Sequence, residues 1–338
     1  MSKQLVLVGA CYLDTLLSVP FFPSEDTKLR ATSSTTRVGG NCPNSIRVLQ
    51  QLLDPSDDVQ LHLISCLPSQ SSPASHRIRN FLTKETDPAG KQRSTTSLKH
   101  CIYRGDHTEP PSSYIICSGD SGSRTIVNYN DLPEMSASEF EERVQAFDPA
   151  QETWWHFEVK SDMGGGRIPS VTLACMHLLR NLLPQAGISV EVEKPGRDGL
   201  AELAAEADVV FYSRVWAECD RIPVEEEVNV VEIKTWTDNP LHCNSLEELM
   251  SYGCVRDDET TMPRCYFPLL NLITADMGSV VAYSTVGAGD TFIAAMLYAM
   301  VCHLTDWETA SKARFAVDLA TRKVQREGFE DLNVTSVR

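Results

Sequence analysis

A chain of 338 residues, 42% of them hydrophobic, is long enough to bury a substantial core in one large domain or two ordinary ones. Its 30 Lys and Arg against 46 Asp and Glu leave a net charge of −16, which argues against DNA, RNA or an anionic membrane as a partner. Eleven cysteines without a C-x-x-C pair speak against a disulfide framework and for a reduced, cytoplasmic protein.

Short β-branched runs alternate with helix-like ones along the chain, the pattern of an α/β protein. Residues 4–10, QLVLVGA, read as a first strand. Gly9 and Asp14 interrupt the apolar run there, which argues against a signal peptide, and no apolar stretch reaches membrane-helix length. From Asn41 the run NCPNSIRVLQQLL is helix-like, with Pro43 in the first turn, where its missing N–H costs little. Residues 59–67 alternate as a strand, and 112–130 read as a hairpin around a Gly/Ser/Asp turn. Residues 153–159, 187–195 and 207–213 are further strands, with a helix over 171–183 between the first two. Polar connectors lie at 68–74 and 86–96. The glycine run at 163–167 lacks the GK[ST] ending of a P-loop and reads as a surface loop.

Residues 219–283 differ. They are rich in Glu, Asp, Pro and Cys, their periodicity is poor, and no convincing core strand can be placed in them. His242, Cys243, Cys254 and Cys265 form the densest His/Cys group, but their spacing matches no zinc knuckle.

Two stretches carry chemistry. The late one, STVGAGDTFIAAMLYAM from Ser284, opens with small residues and becomes apolar on all faces from Phe292 to Val301, so its helix should lie buried inside a domain. Gly287, Ala288 and Gly289 place unpaired N–H groups and the positive end of the helix dipole where an anion can dock. Asp290 beside a phosphate suits a general base for an attacking hydroxyl, although this stretch alone equally allows Asp290 as a plain helix cap. The early stretch, VGGNCPNS from Val38, sets Gly40, Asn41 and Asn44 at a helix start, with the two asparagines three apart on one side. Asparagine both donates and accepts, which suits sugar hydroxyls. Asp14 follows the first strand, and ligands gather at the carboxyl ends of strands in open α/β sheets.

G-G-N-x-x-N early and D/S-T-x-G-A-G-D late are the two signatures of the ribokinase-like (PfkB) carbohydrate kinases, and the sequence resembles that family. Within it the chain is most similar to the kinases that phosphorylate fructose at C1, through PPSSYIICSGDSGSRTIV, ISVEVEKPG, ADVVFYSR and a terminal GFEDL. The likeness covers residues 1 to about 218 and 284–330. The resemblance implies a three-layer α/β sandwich over 1–338, with a small β-sheet lid drawn from roughly 10–40 and 98–130 and a divergent segment at 219–283. It also implies transfer of the γ-phosphate of Mg²⁺-ATP to a sugar hydroxyl, and a lid through which two copies can pair. Carried over by motif, Asp14, Gly40, Asn41 and Asn44 bind the sugar. Arg124 approaches the nucleotide phosphates, Gly287, Ala288 and Gly289 form the anion hole, and Asp290 is the base. Glu191 and Glu193 share one face of a strand, either to orient Mg²⁺ or as a solvated surface. The chain departs from the family at Lys234-Thr235-Trp236-Thr237, which no Gly-Ala pair follows, and at HFEVK over 156–160. A kinase for ribose, a nucleoside or a modified sugar, and a sugar-binding protein without catalysis, are the other readings of the same motifs.

Overall fold

The computed structural model describes residues 2–84, 90, 93–159, 168–192, 199–212, 286–326 and 328–333, with the backbone of three short strands inside 213–285. The glycine run at 163–167, Glu193, residues 234–237, His242 and Cys243 lie outside the described residues.

Strands β1 (Lys3–Val8), β2 (Tyr12–Val19) and β3 (Ser33–Gly39) lead into helix α1 (Asn41–Leu52). There follow β4 (Val59–Ile64), β5 (Cys66–Pro68), α2 (Pro73–Leu82), β6 (Thr96–Ser97), β7 (Ile102–Arg104), β8 (Ser112–Ser118), β9 (Arg124–Tyr129) and α3 (Ala137–Val144). Next β10 (Thr153–Glu158), α4 (Ile168–Leu182), β11 (Gly187–Val192), α5 (Leu200–Glu206) and β12 (Val209–Tyr212) alternate. The short strands β13 (Val230–Ile233), β14 (Cys254–Val255) and β15 (Arg264–Cys265) precede the last two helices, α6 (Ala288–Cys302) and α7 (Thr309–Val324).

The main sheet runs in the order β13-β12-β11-β10-β1-β4-β6, parallel throughout except for β13, which pairs antiparallel with β12. Successive side chains of a strand point to opposite faces. Accordingly Leu5 and Leu7 of β1 join a core with α1, α6 and α7, whereas Val6 and Val8 join a second core with α3, α4 and α5. This is the three-layer α/β sandwich. Every residue of α6 from Thr291 to Val301 is buried, as its unbroken apolar composition requires. A second sheet, in the order β3-β2-β8-β9, stands apart from the first.

Two expectations are corrected. Residues 230–233 do form a strand, despite the poor periodicity of their surroundings, because β12 offers them an unpaired edge. The strand expected over 59–67 breaks at Ser65, whose carbonyl accepts the N–H of Ile102 at 2.9 Å, and the chain then changes partner to β7. Among the described residues no helix is long and apolar enough to cross a membrane.

Two histidines sit buried inside the main sheet. His62 bonds Gln4 Oε1 at 2.6 Å and His156 bonds Ser189 Oγ at 3.0 Å. Burial, the leading cause for both, holds their pKa values at about 4 and about 3, below the usual 6.5. Below pH 6.5 the unfolded chain therefore binds protons that the native state refuses, so stability falls as pH drops from 6.5 toward those values and is unaffected above. Melting temperature should decline between pH 7 and pH 5, and His156→Asn should flatten the decline. A wild-type melting temperature that rises over that interval contradicts this account.

Candidate active site

The carboxyl ends of β10 and β11 and the loop leaving β1 meet the N-termini of α1 and α6. Gly40, the N-cap of α1, has φ 103°, and a β-carbon there would overlap the carbonyl oxygen of Ala10. Only glycine permits this combination of left-handed backbone and close approach. The turn so formed presses α1 onto the chain leaving β1. Asn41 is the first residue of α1, and its Nδ2 donates to Glu191 Oε2 at 2.9 Å. Asn44 Nδ2 donates to Asp290 Oδ2 at 2.7 Å, and Ser45 Oγ donates to the carbonyl of Asp290 at 3.0 Å. One turn of α1 thus ties the end of β11 to the start of α6.

At that start Gly287 is the N-cap, with φ 79°, and Thr291 closes the first turn with its N–H and Oγ1 on the Gly287 carbonyl, at 2.9 and 2.7 Å. Asp290 is the third helical residue, not the cap, and no side chain caps the helix. The plain-cap reading of Asp290 is corrected here: its carboxylate is turned to Asn44. Among the described residues nothing outside the helix itself lies within 4 Å of where a β-carbon on Gly289 would sit, and a helix N-terminus of this kind can take an anion.

Glu191 is buried and bonded by Asn41, which removes the reading of it as a solvated strand face. Its register partner is Glu158, the last residue of β10, whose Oε2 accepts the N–H of Ala10 at 2.9 Å. Sequence reasoning missed Glu158 as a site residue. The available signal was a carboxylate ending the apolar strand TWWHFE, the kind of position that drew attention to Asp14. Cys42 lies fully buried among these acids. Burial first, then the charges of Glu158, Glu191, Cys11 and Asp290, hold its thiol well above the ordinary range. It is therefore a neutral spacer under the cluster and not a nucleophile. The ends of β1 and β10 also border a cavity of about 100 Å³ lined in part by Gly9, Ala10 and Glu158.

Asp14 lies on β2 between its cross-strand neighbours Arg37 on β3 and Ser113 on β8. Burial raises its carboxyl pKa, opposed by the Ser113 hydrogen bond and by Arg37, whose Nε is 3.7 Å from Oδ2. Its carboxylate packs against Gly39, beside Gly40. Gly40, Asn41, Asn44, Glu191 and Asp290 therefore form one connected cluster, which Asp14 approaches through Gly39. Arg124 opens β9 on the exposed edge of the second sheet, and no bond among the described residues ties it to that cluster.

No family model matches the chain. Mouse (Mus musculus) ketohexokinase is 28% identical over 334 residues, 98% of this chain and 99% of that protein. The nucleoside kinase of Methanocaldococcus jannaschii, a ribokinase-family member, superposes with TM-score 0.61 at 17% identity, covering 100% of this chain and 97% of the other. Arabidopsis thaliana ribokinase, solved with ribose and ATP, gives TM-score 0.61 at 14% identity, covering 100% and 98%. The chain is similar to ketohexokinase over nearly its whole length and has the ribokinase fold.

Proposed function

We propose that this chain is an ATP-dependent sugar kinase that moves the γ-phosphate of ATP onto a sugar hydroxyl, with the C1 hydroxyl of fructose as the favoured acceptor. The observation that carries the reading is the Asp290 carboxylate, held by Asn44 at the edge of an uncapped helix N-terminus. Asp14, Gly40, Asn41 and Asn44 offer the donors and acceptors that sugar hydroxyls need, on the side of α1 that faces Asp290. With a hydroxyl seated there, Asp290 takes its proton as it attacks phosphorus. The N–H groups of Gly287, Ala288 and Gly289 meet the charge on the transferred group. Such catalysis is mainly positioning and charge stabilisation. Homology to ketohexokinase over nearly the whole chain supports a ketose acceptor, and the ATP bound by the Arabidopsis relative supports the donor.

Mg²⁺, when bound, neutralises the nucleotide's phosphates. Carboxylates suit this hard cation, and the Glu191 carboxylate, buried and oriented by Asn41, fits a role in orienting the ion or its waters, with Glu193 following it in sequence. Among the described residues no group of three or more candidate ligands could hold a metal ion. Arg124 is assigned to the nucleotide phosphates, with the second sheet acting as a lid.

The test is a thermal-shift series with Mg²⁺-ATP and sugar, together with ADP release over ketoses, aldoses and nucleosides. A kinase melts higher with nucleotide and releases ADP with its acceptor, by mass action on the native state. A shift with sugar alone and no ADP release identifies a non-catalytic sugar binder.

The second sheet also exposes Tyr114, Val127 and Tyr129, at 48%, 56% and 57%, on one face, with Tyr114 and Val127 as cross-strand partners. We assign this face to pairing between two copies of the chain, since covering an apolar patch is favourable. Sedimentation should give twice the mass of one chain, reduced to one chain by Tyr114→Glu with Val127→Glu. A wild-type protein sedimenting as a single chain contradicts the assignment.

A further inference from the structure

The C-terminal segment reaches back to the proposed anion hole, and nothing in the chemistry above uses it. The ring of Phe329 lies against Gly287: a β-carbon on Gly287 would run into its Cζ edge. The segment is also held by α1. Gln51 Nε2 donates to the Phe329 carbonyl at 2.6 Å, and Gln51 Oε1 accepts the N–H of Leu332 at 3.1 Å. Glu330 accepts from Arg47 Nη2 at 3.0 Å and pairs also with the buried Arg93. Leu332 is wholly buried, and Lys323 Nζ sits 5.3 Å from the centroid of the Phe329 ring.

The contacts close a loop. The same helix α1 that holds Asp290 through Asn44 and Ser45 holds the C-terminal segment through Arg47 and Gln51. The segment then presses an aromatic edge on the residue that starts α6. Gly287 needs outside support because its left-handed backbone has no side chain to pack. A helix N-terminus binds an anion only as well as its N–H groups are aimed.

We propose that Phe329 is a positioning residue for phosphoryl transfer: its ring fixes the turn at Gly287 and so aims the N–H groups of residues 287–289 at the transferred group. This rests on the kinase reading given above. Because the group positioned serves the phosphoryl and not the sugar, loss of the ring should lower turnover while sparing acceptor affinity.

Two variants separate positioning from stability. Phe329→Leu keeps apolar bulk but withdraws the ring edge from Gly287, and Phe329→Tyr adds a hydroxyl at the very atom that faces Gly287. Both should lower kcat by roughly ten- to a hundredfold with sugar KM within about twofold, the scale of a misplacement near one ångström. Hydrogen–deuterium exchange over 286–291 should quicken in both variants, relative to exchange over α1. Unchanged kcat in both variants, or a KM that rises as kcat falls, overturns the proposal, and so does unchanged exchange. If the wild-type protein phosphorylates no acceptor, the kinase reading fails by itself, and the exchange comparison alone decides whether Phe329 fixes the turn.

Discussion

On the proposed function, Asp290→Asn should lower turnover by about a hundredfold or more and leave sugar affinity within about twofold, because the variant loses a proton acceptor and little else. The substitution keeps the size of the side chain. Its Oδ1 can still accept from Asn44 Nδ2, the bond that spans 2.7 Å in the wild-type protein, so α1 and α6 should stay joined. The N–H groups of the first turn of α6 are also untouched, since no side chain caps that helix. What changes is basicity alone. A general base acts in the transition state and not in sugar binding, so its removal appears in kcat and not in sugar KM. Turnover and sugar binding, measured separately on a folded variant, test this directly. Undiminished turnover would reduce Asp290 to a structural partner of Asn44.

Asn44→Asp should do harm by the opposite route, and its signature is a displaced pH profile. The substitution puts a second carboxylate at hydrogen-bonding distance from Asp290. Two carboxylates that close cannot both ionise at neutral pH: they share one proton, and the upper apparent pKa of the pair rises. The base is then protonated for part of the time at pH 7 and becomes available as pH rises. Turnover should therefore fall by about tenfold near neutrality, less than outright loss of a general base would cost, and recover toward higher pH. The rising limb of the pH–rate curve should move upward relative to wild type. Asn44→Leu provides the contrast: it removes one hydrogen bond to the carboxylate without adding a charge, so the limb should move upward by less than in Asn44→Asp. A variant Asn44→Asp whose rate is low at every pH, with no displaced limb, would show that Asn44 does not face the titrating base.

The local parts of this site were legible because each depends on short-range chemistry. Gly40 and Gly287 are glycines at helix starts with positive φ, and Asn41 and Asn44 stand at a helical spacing that sequence displays directly. The buried helix α6 could be read from its unbroken apolar run. Long-range contacts were not legible. Glu158 and Glu191 are neighbours only because β10 and β11 pair in that register, and no local pattern announces a register between strands 33 residues apart. Phe329 and Glu330 lie in a short polar tail whose partners, Gly287 and Arg47, come from distant parts of the chain. Strand β2 escaped periodicity because seven of its eight residues are half-buried on both faces, so no inside–outside alternation marks it. Strand β13 shows the reverse case, a segment without strand-like surroundings recruited by an open sheet edge.

The proposed function is one event, passage of a phosphoryl group from ATP to a sugar hydroxyl beside Asp290. Phosphorus NMR of wild-type protein with Mg²⁺, ATP and fructose follows that event without coupling enzymes. The expected record is loss of the γ-phosphate signal, equal growth of ADP and one sugar phosphomonoester, and the same changes about a hundredfold slower or more when Asp290→Asn replaces wild type. ATP consumed at the same rate with and without sugar, yielding inorganic phosphate and no phosphomonoester from any ketose, aldose or nucleoside, would contradict it.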